Sequence, residues 1–272
     1  SCSGTVKAIE ERHTISGGRA TCIVIANDGL FNAAPGIGID REASAFSGPQ
    51  ILDAIKWAGI VGLGGAGFPT HVKLAPRNPE QIDYVIANGS ECEPYITCDD
   101  QLMRTQSNGI VEGMRLVLRL FPNARGVIAI EDNKPEAIEA MAHACEGDAN
   151  LSVLPVMAKY PEGGERSLIG VVTGRQLRFG QLPADLGCVV CNVSTLNAIY
   201  RAVCKTEPLI GRLFTVSGDA VSNPHTLFVR IGTSCSELLK AAGGIKPGSE
   251  ARKILCGGPM MGIAMSTLDA PV

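Results

Sequence analysis

The stretch GIVGLGGAGFPTHVK, residues 59–73, puts five glycines into nine positions and follows them with a lysine. A run this free of side chains can wrap backbone N–H groups around a phosphate or let a flat ring lie on bare main chain. Lys73, six residues past Gly67, adds a cation suited to phosphate. Gly62, Gly64 and Gly67 also spell G-x-G-x-x-G. A dinucleotide fingerprint of that form follows a strand and opens a helix. Here the helical segment DAIKWAG comes first, and Pro69 cuts in two residues after the last glycine. A surface loop is the plain alternative, and Glu91, beyond the next strand, keeps a dehydrogenase-type site open.

Three polar turns supply possible partners for that loop. Asn88-Gly89-Ser90-Glu91-Cys92-Glu93-Pro94 follows a strand at 83–87, and Tyr160-Pro161-Glu162-Gly163-Gly164-Glu165 follows a strand at 151–157. Asn192-Val193-Ser194-Thr195 follows a strand at 187–191 and directly precedes a helix. In open α/β sheets, ligands sit beyond the carboxyl ends of the strands, so these turns are expected to converge. Asn192 and Thr195 offer side-chain donors beside the unsatisfied N–H groups of a helix start, which suits an anion or simply caps the helix. Glu91, Glu93 and Glu165 would repel phosphate and are expected to accept hydrogen bonds from sugar hydroxyls or a carboxamide. Cys188-Val189-Val190-Cys191 is a C-x-x-C inside an apolar strand. Its two thiols point to opposite faces, which favours buried reduced cysteines over a metal or redox pair. His13, His71, His143 and His225 show no ligand spacing.

These residues need elements to position them. A chain of 272 residues with 45% apolar and 19% charged residues can bury a sizeable core. A net charge of −3 with scattered Lys and Arg provides no field for a polyanion, so nucleic acid is not an expected partner. No apolar run approaches membrane-spanning length, so no direct membrane insertion is expected. Short strands are expected over SGTVKAIEERHTI and TCIVIAND, in a small β unit covering residues 1–48. From residue 49 to 206 the periodicity alternates: helix in PQILDAIKWAGI, strand at 82–88, one helical pattern over 99–121, strand in GVIAIED, helix in KPEAIEAMAHAC, strand in LSVLPVMAKY, helix in PEGGERSLIGVVTG, strand in GCVVCNV and helix in STLNAIYRAVC. That rhythm argues for a parallel sheet with helices on its faces. Residues 207–272 read as a small ββαβ unit.

Taken together, GLGGAGFPTHVK, ANGSECEPYITCDD, YPEGGERSL and CNVSTL are far more specific than any one of them. The combination resembles the C subunit of the Rnf electron-transport (ion-translocating oxidoreductase) complex and, more remotely, the flavin- and NADH-binding subunit of respiratory complex I. The resemblance covers nearly the whole chain. It implies an α/β fold: a Rossmann-like parallel-sheet flavin domain flanked by a partial N-terminal barrel-sandwich β unit and a C-terminal β-grasp, SLBB-like unit. It also implies FMN, with NADH stacking on it, in an oxidoreductase subunit peripheral on the cytoplasmic face of the cell membrane. Ferredoxin is the implied ultimate redox partner, together with the other Rnf subunits. The family's 4Fe-4S motifs do not occur among the ten cysteines, which implies a piece of a longer protein with both ends elsewhere.

By motif, Gly62, Gly64, Gly65 and Lys73 would hold flavin and nucleotide, with Phe68 as the aromatic near the adenine. Asn88, Ser90 and Glu91 would line the isoalloxazine and ribityl edge. Gly163 and Glu165 would face the nucleotide, Glu91 and Glu165 positioning it, and Asn192 with Thr195 would take the FMN phosphate. No side chain is expected to act as a general base, and no metal ligand is expected. Two positions depart from complex I, which carries Arg at the position of Leu63 and an acid at that of Ser90. A flavin-free scaffold subunit of a related redox complex is the alternative.

Overall fold

The computed structural model describes residues 2–15 and 17–272. They divide into two compact units, one made of Ser1–Pro35, Glu93–Cys98 and Ile210–Val272, the other of Gly36–Cys92 and Asp99–Leu209.

The first unit opens with strands β1 (Gly4–His13) and β2 (Arg19–Asn27), an antiparallel hairpin in which nearly every side chain is exposed or half-exposed. The second unit begins with helices α1 (Gly48–Trp57) and α2 (Thr70–Lys73), which flank the glycine run. Strand β3 (Tyr84–Gly89) follows, then α3 (Cys98–Thr105), α4 (Ser107–Leu118), β4 (Arg125–Glu131), α5 (Pro135–Ala144), β5 (Leu151–Val156), α6 (Glu165–Thr173), β6 (Cys188–Asn192) and α7 (Val193–Lys205). The chain returns to the first unit with β7 (Gly211–Val216) and β8 (His225–Arg230), an antiparallel pair, then α8 (Cys235–Ala241) and a short ladder of β9 (Leu255–Cys256) with β10 (Ile263–Ala264). The expected ββα order is present, but the last strand pairs with β10 and does not join β7 and β8.

Strands β3 to β6 form one parallel sheet in the order β5-β4-β3-β6. The apolar runs of β3, β4 and β6 are buried on both faces, as a sheet covered by crossover helices requires, while the edge strand β5 is partly exposed. On one face Leu168 and Ile169 of α6 pack with Ile86, Ala129, Val156, Cys188 and Val190. On the other, α4 and α7 pack against each other and against β3. The helical pattern over 99–121 is interrupted: Gln106, at φ −134° and ψ 33°, separates α3 from α4. The break lets α4 turn its small residues to α7, where a Cβ on Gly113 would stand 1.9 Å from the Leu196 carbonyl oxygen. Glycine is required there by close backbone approach. Among the described residues no helix is long and apolar enough to cross a membrane.

Gly113→Ala should therefore force α4 off α7 and destabilise the protein by about 1–3 kcal/mol, a drop of several degrees in the unfolding midpoint. Gly170→Ala is the control. Its added Cβ meets only the Arg175 carbonyl oxygen at 3.7 Å, so the helix gains about 0.5–1 kcal/mol. Equal midpoints for the two variants would contradict this packing.

Candidate functional site

Strand order reverses beside β3, where β4 and β5 lie to one side and β6 to the other. The carboxyl ends of β3 and β6 are in register, Asn88 opposite Asn192, and open sheets bind ligands at such a switch point. The glycine run is brought there as a loop with a pinned base. Gly62 N–H donates to the Phe68 carbonyl at 2.8 Å, and Thr70 N–H to that of Ile60 at 3.1 Å. At the tip, Gly65 (φ +128°) and Gly67 (φ +62°) take backbone conformations that other residues adopt only with strain. A Cβ on either would meet nothing within 4 Å, so the tip offers bare, open main chain. Phe68 beside it is half exposed.

Helix α7 anchors this loop. Its N-cap is Asn192, whose Oδ1 accepts from Ser194 N–H at 2.8 Å. Thr195 is 2% exposed and its Oγ1 accepts from Leu63 N–H at 2.9 Å. A Cβ on Gly64 would lie 3.2 Å from that of Asn192, so Gly64 rests on the cap residue. Lys73, on α2, directs Nζ to the Val190 carbonyl at 3.0 Å and to Glu165 Oε1 at 2.8 Å. Glu165 opens α6, where a carboxylate complements the positive helix end. The pair is more than one-third exposed, so its weight is in placing the ammonium rather than in stability.

The remaining two turns meet at the end of β3. Asn88 Nδ2 donates to the Gly163 carbonyl at 2.8 Å, while its Oδ1 accepts from Ser90 N–H at 3.0 Å. A Cβ on Gly163 would strike the Ser90 carbonyl oxygen at 2.4 Å. Of the buried side-chain oxygens and nitrogens among the described residues, two lack a hydrogen-bond partner, Ser90 Oγ and Glu162 Oε1. Gly62, Gly64, Gly65, Phe68 and Lys73 are thus on one loop and helix, and Asn88, Ser90, Glu91, Gly163, Glu165, Asn192 and Thr195 close the three turns.

Not every acid serves as expected. Glu91 spans the start of α3, its Oε1 accepting from Asp99 N–H at 2.9 Å and its Oε2 from Asp100 N–H at 3.1 Å. Glu93 belongs to the other unit, where Met261 N–H and Met260 N–H donate to its two oxygens at 2.7 and 3.0 Å. Its role toward a sugar or carboxamide is corrected accordingly. Asp99, which holds Asn192, closes the motif ANGSECEPYITCDD and is an acid in a first helical turn, but neither feature points to α7. Both thiols of the C-x-x-C are buried, and desolvation raises the pKa of Cys188 and pushes that of Cys191 up to about 11. Among the described residues no cluster of His, Cys, Asp and Glu could hold a metal ion.

Two clefts of about 450 and 400 Å³ open elsewhere on this unit. One runs along Asp40, Tyr200 and Lys205, the other along Asp83, Asn123 and Arg125 at the amino ends of the strands. Most of their charges are already paired, Lys205 with Asp40, Arg201 with Glu207 and Arg175 with Asp83, and Arg125 lies over the Tyr84 ring. The switch point carries the better argument, because a glycine tip, a helix start and a lysine converge there.

An open parallel sheet with these features defines an α/β domain of the nucleotide-binding type. The family model described as Nuo51 FMN-binding domain matches residues 55–201, and the SLBB domain model matches residues 213–264. The chain belongs to the Nuo51 FMN-binding-domain family. It is 43% identical over 272 residues to the C subunit of the Na(+)-translocating ferredoxin:NAD(+) oxidoreductase complex of Acetobacterium woodii, covering 100% of this chain and 61% of that protein. It is 44% identical over the same length to the C subunit of the Proton-translocating ferredoxin:NAD(+) oxidoreductase complex of Clostridium ljungdahlii, covering 100% of this chain and 59% of that one. The chain thus spans about three-fifths of the length of these curated relatives. The fold also matches a chain of an NAD+-reducing [NiFe]-hydrogenase in its air-oxidized state, with a TM-score of 0.70 and 24% identity over 86% of this chain and 45% of that one. The resemblance to Rnf C subunits, the α/β sheet and the SLBB unit are borne out.

The residues fit the group the family name implies. Bare glycine main chain can face a flat ring, the α7 start and Lys73 are placed to donate to a phosphate, and Ser90 Oγ is a buried hydroxyl with hydrogen-bonding capacity to spare.

Beside the site, Glu131 at the end of β4 is 3% exposed, and burial raises its pKa above the ordinary 4.5. Asp132 and Glu162 push the same way, and Lys134 opposes them. The folded state therefore favours the protonated acid. Its stabilisation is complete below pH 4.5 and is lost as pH rises through the raised value. Glu131→Gln should remove that loss, so its melting midpoint should fall less than the parent's between pH 4.5 and 8. Parallel midpoint curves would contradict the burial argument.

Proposed function

We propose that this chain is the FMN-binding, NADH-oxidising electron-input part of an Rnf-type ion-translocating complex, an NADH:flavin/ferredoxin-type oxidoreductase subunit. In this reading it lies at the cytoplasmic face of the membrane with the other Rnf subunits. Electrons pass to 4Fe-4S clusters outside these residues, with ferredoxin as the ultimate redox partner. Residues 1–48 would be the barrel-sandwich unit, 49–206 the flavin domain and 207–272 the SLBB-like unit.

The observation that carries the proposal is the convergence of the glycine loop, the α7 start and Lys73 at the β3/β6 switch point. The similarity to C subunits of ferredoxin:NAD(+) oxidoreductase complexes supports the choice of nicotinamide and ferredoxin as redox partners. FMN, when bound, would supply the conversion between a two-electron nicotinamide donor and one-electron acceptors. The protein's part is placement and electrostatics. The Gly62–Gly67 main chain would accept the ring face, with Gly64 and Gly65 nearest the α7 cap. Asn192, Thr195 and Lys73 would hold the phosphate. Asn88 and Ser90 would line the edge of the ring, while Glu91 holds α3 and Glu165 holds Lys73. Gly163 and Phe68 would bound the nucleotide. In this reading no side chain has to move a proton at the reacting atoms.

Titration of the protein with FMN should give a retained yellow species that bleaches on addition of NADH. Lys73→Ala should weaken FMN binding about tenfold or more, the loss expected for a charge-assisted contact. A parent protein that retains no FMN would overturn this reading and favour a flavin-free scaffold subunit.

A further inference from the structure

We propose that Asp99 is a positioning residue for flavin binding, acting through Asn192 and Ser194 at the start of α7. The inference rests on the flavin reading above and extends it to a residue that closes the motif ANGSECEPYITCDD but is given no role by it.

An acid in the first turn of a helix ordinarily complements the positive end of its own helix. Asp99 is in that position on α3, yet that task is carried by Glu91, whose two oxygens accept the N–H groups of Asp99 and Asp100 at 2.9 and 3.1 Å. The Asp99 side chain instead reaches α7. Its Oδ2 accepts from Asn192 Nδ2 at 2.6 Å and its Oδ1 from Ser194 Oγ at 2.7 Å. Both contacts have the short length of charge-assisted hydrogen bonds.

Asn192 is thereby committed at both ends of its amide. Its Oδ1 caps α7 by accepting from Ser194 N–H, and its Nδ2 is held by Asp99. That fixes the side chain on which Gly64 rests, one residue from Leu63 and the bond that ties it to Thr195. A line of contacts therefore runs from Glu91 on the β3 turn through Asp99 to Asn192 and the glycine loop. Loss of Asp99 frees the Asn192 amide and the Ser194 hydroxyl to take other rotamers. The glycine loop then has to be ordered by the ligand, which lowers affinity.

Asp99 also sets a negative charge beside the positive end of α7, which opposes a phosphate. The two effects have opposite signs and separate by substitution. Asp99→Ala removes both charge and clamp. Asp99→Asn removes the charge, keeps the volume and an acceptor for Asn192 Nδ2, and turns an amide donor toward the Ser194 hydroxyl, which can accept it.

The test is a double-mutant cycle on FMN affinity, read by flavin fluorescence quenching, in the parent, Asp99→Ala, Asn192→Ala and the double variant. Asp99→Ala is expected to weaken FMN about tenfold, and to add little on the Asn192→Ala background because the two act in series. A residue that merely supports the fold would weaken binding by the same factor on either background. If Asp99→Ala loses its folded far-UV spectrum, Asp99→Asn takes its place in the cycle, with a smaller loss and the same non-additivity expected. Parent-like affinity in Asp99→Ala, or additive losses, would overturn the inference while leaving the flavin reading intact. A parent that binds no FMN would overturn both.

Discussion

The parallel pairing of β6 with the free edge of β3 is the constraint from which the site follows. With β4 and β5 on one side of β3, the outer edge of β5 is also open, yet β6 joins the free edge of β3, and the chain crosses the sheet to reach it. Helices α4 and α7 then cover one face and α6 the other. Two strand ends, Asn88 and Asn192, come side by side with a helix start pointing into the opening between them. A sheet built in simple sequence order would give no such crevice.

What fills the crevice rim is a set of polar commitments that hold backbone in place. Thr195 and Asn192 seat the glycine loop, Lys73 is held by a carbonyl and a carboxylate, and Asn88 ties the 160–165 turn to β3. The acids that sequence reasoning assigns to a ligand are largely engaged with the protein. Glu91 satisfies the open end of α3, where unpaired N–H groups would otherwise cost free energy, and Glu165 satisfies Lys73. Such residues affect a ligand by fixing the donors that meet it.

Much of this was legible in the sequence because it is local. Unbroken apolar runs gave β3, β4 and β6, and alternation with helical periods gave the parallel sheet. The turns containing Asn88, Gly163 and Asn192 follow their strands, so the carboxyl-end rule was enough to gather them. The break at Gln106 was not legible, because it answers to packing between α4 and α7, whose residues are far apart in sequence. Glu93 was misread for the same reason. It lies two residues from Glu91, yet its carboxylate is held by the N–H groups of Met260 and Met261. Asp99 gave no signal of its role, since side-chain partners 93 and 95 positions away leave no periodicity to detect. Long-range polar pairing is the part of a fold that patterning conveys least.

The central claim is that the glycine loop and the first turn of α7 form one seat for a flavin phosphate and ring. Amide hydrogen exchange with and without FMN tests it most directly. The account predicts that FMN slows exchange in two segments together, 62–68 and 192–195, and leaves the amino ends of the strands around Asn123 and Asn150 unchanged. Protection at those amino ends, or in only one of the two segments, would contradict it.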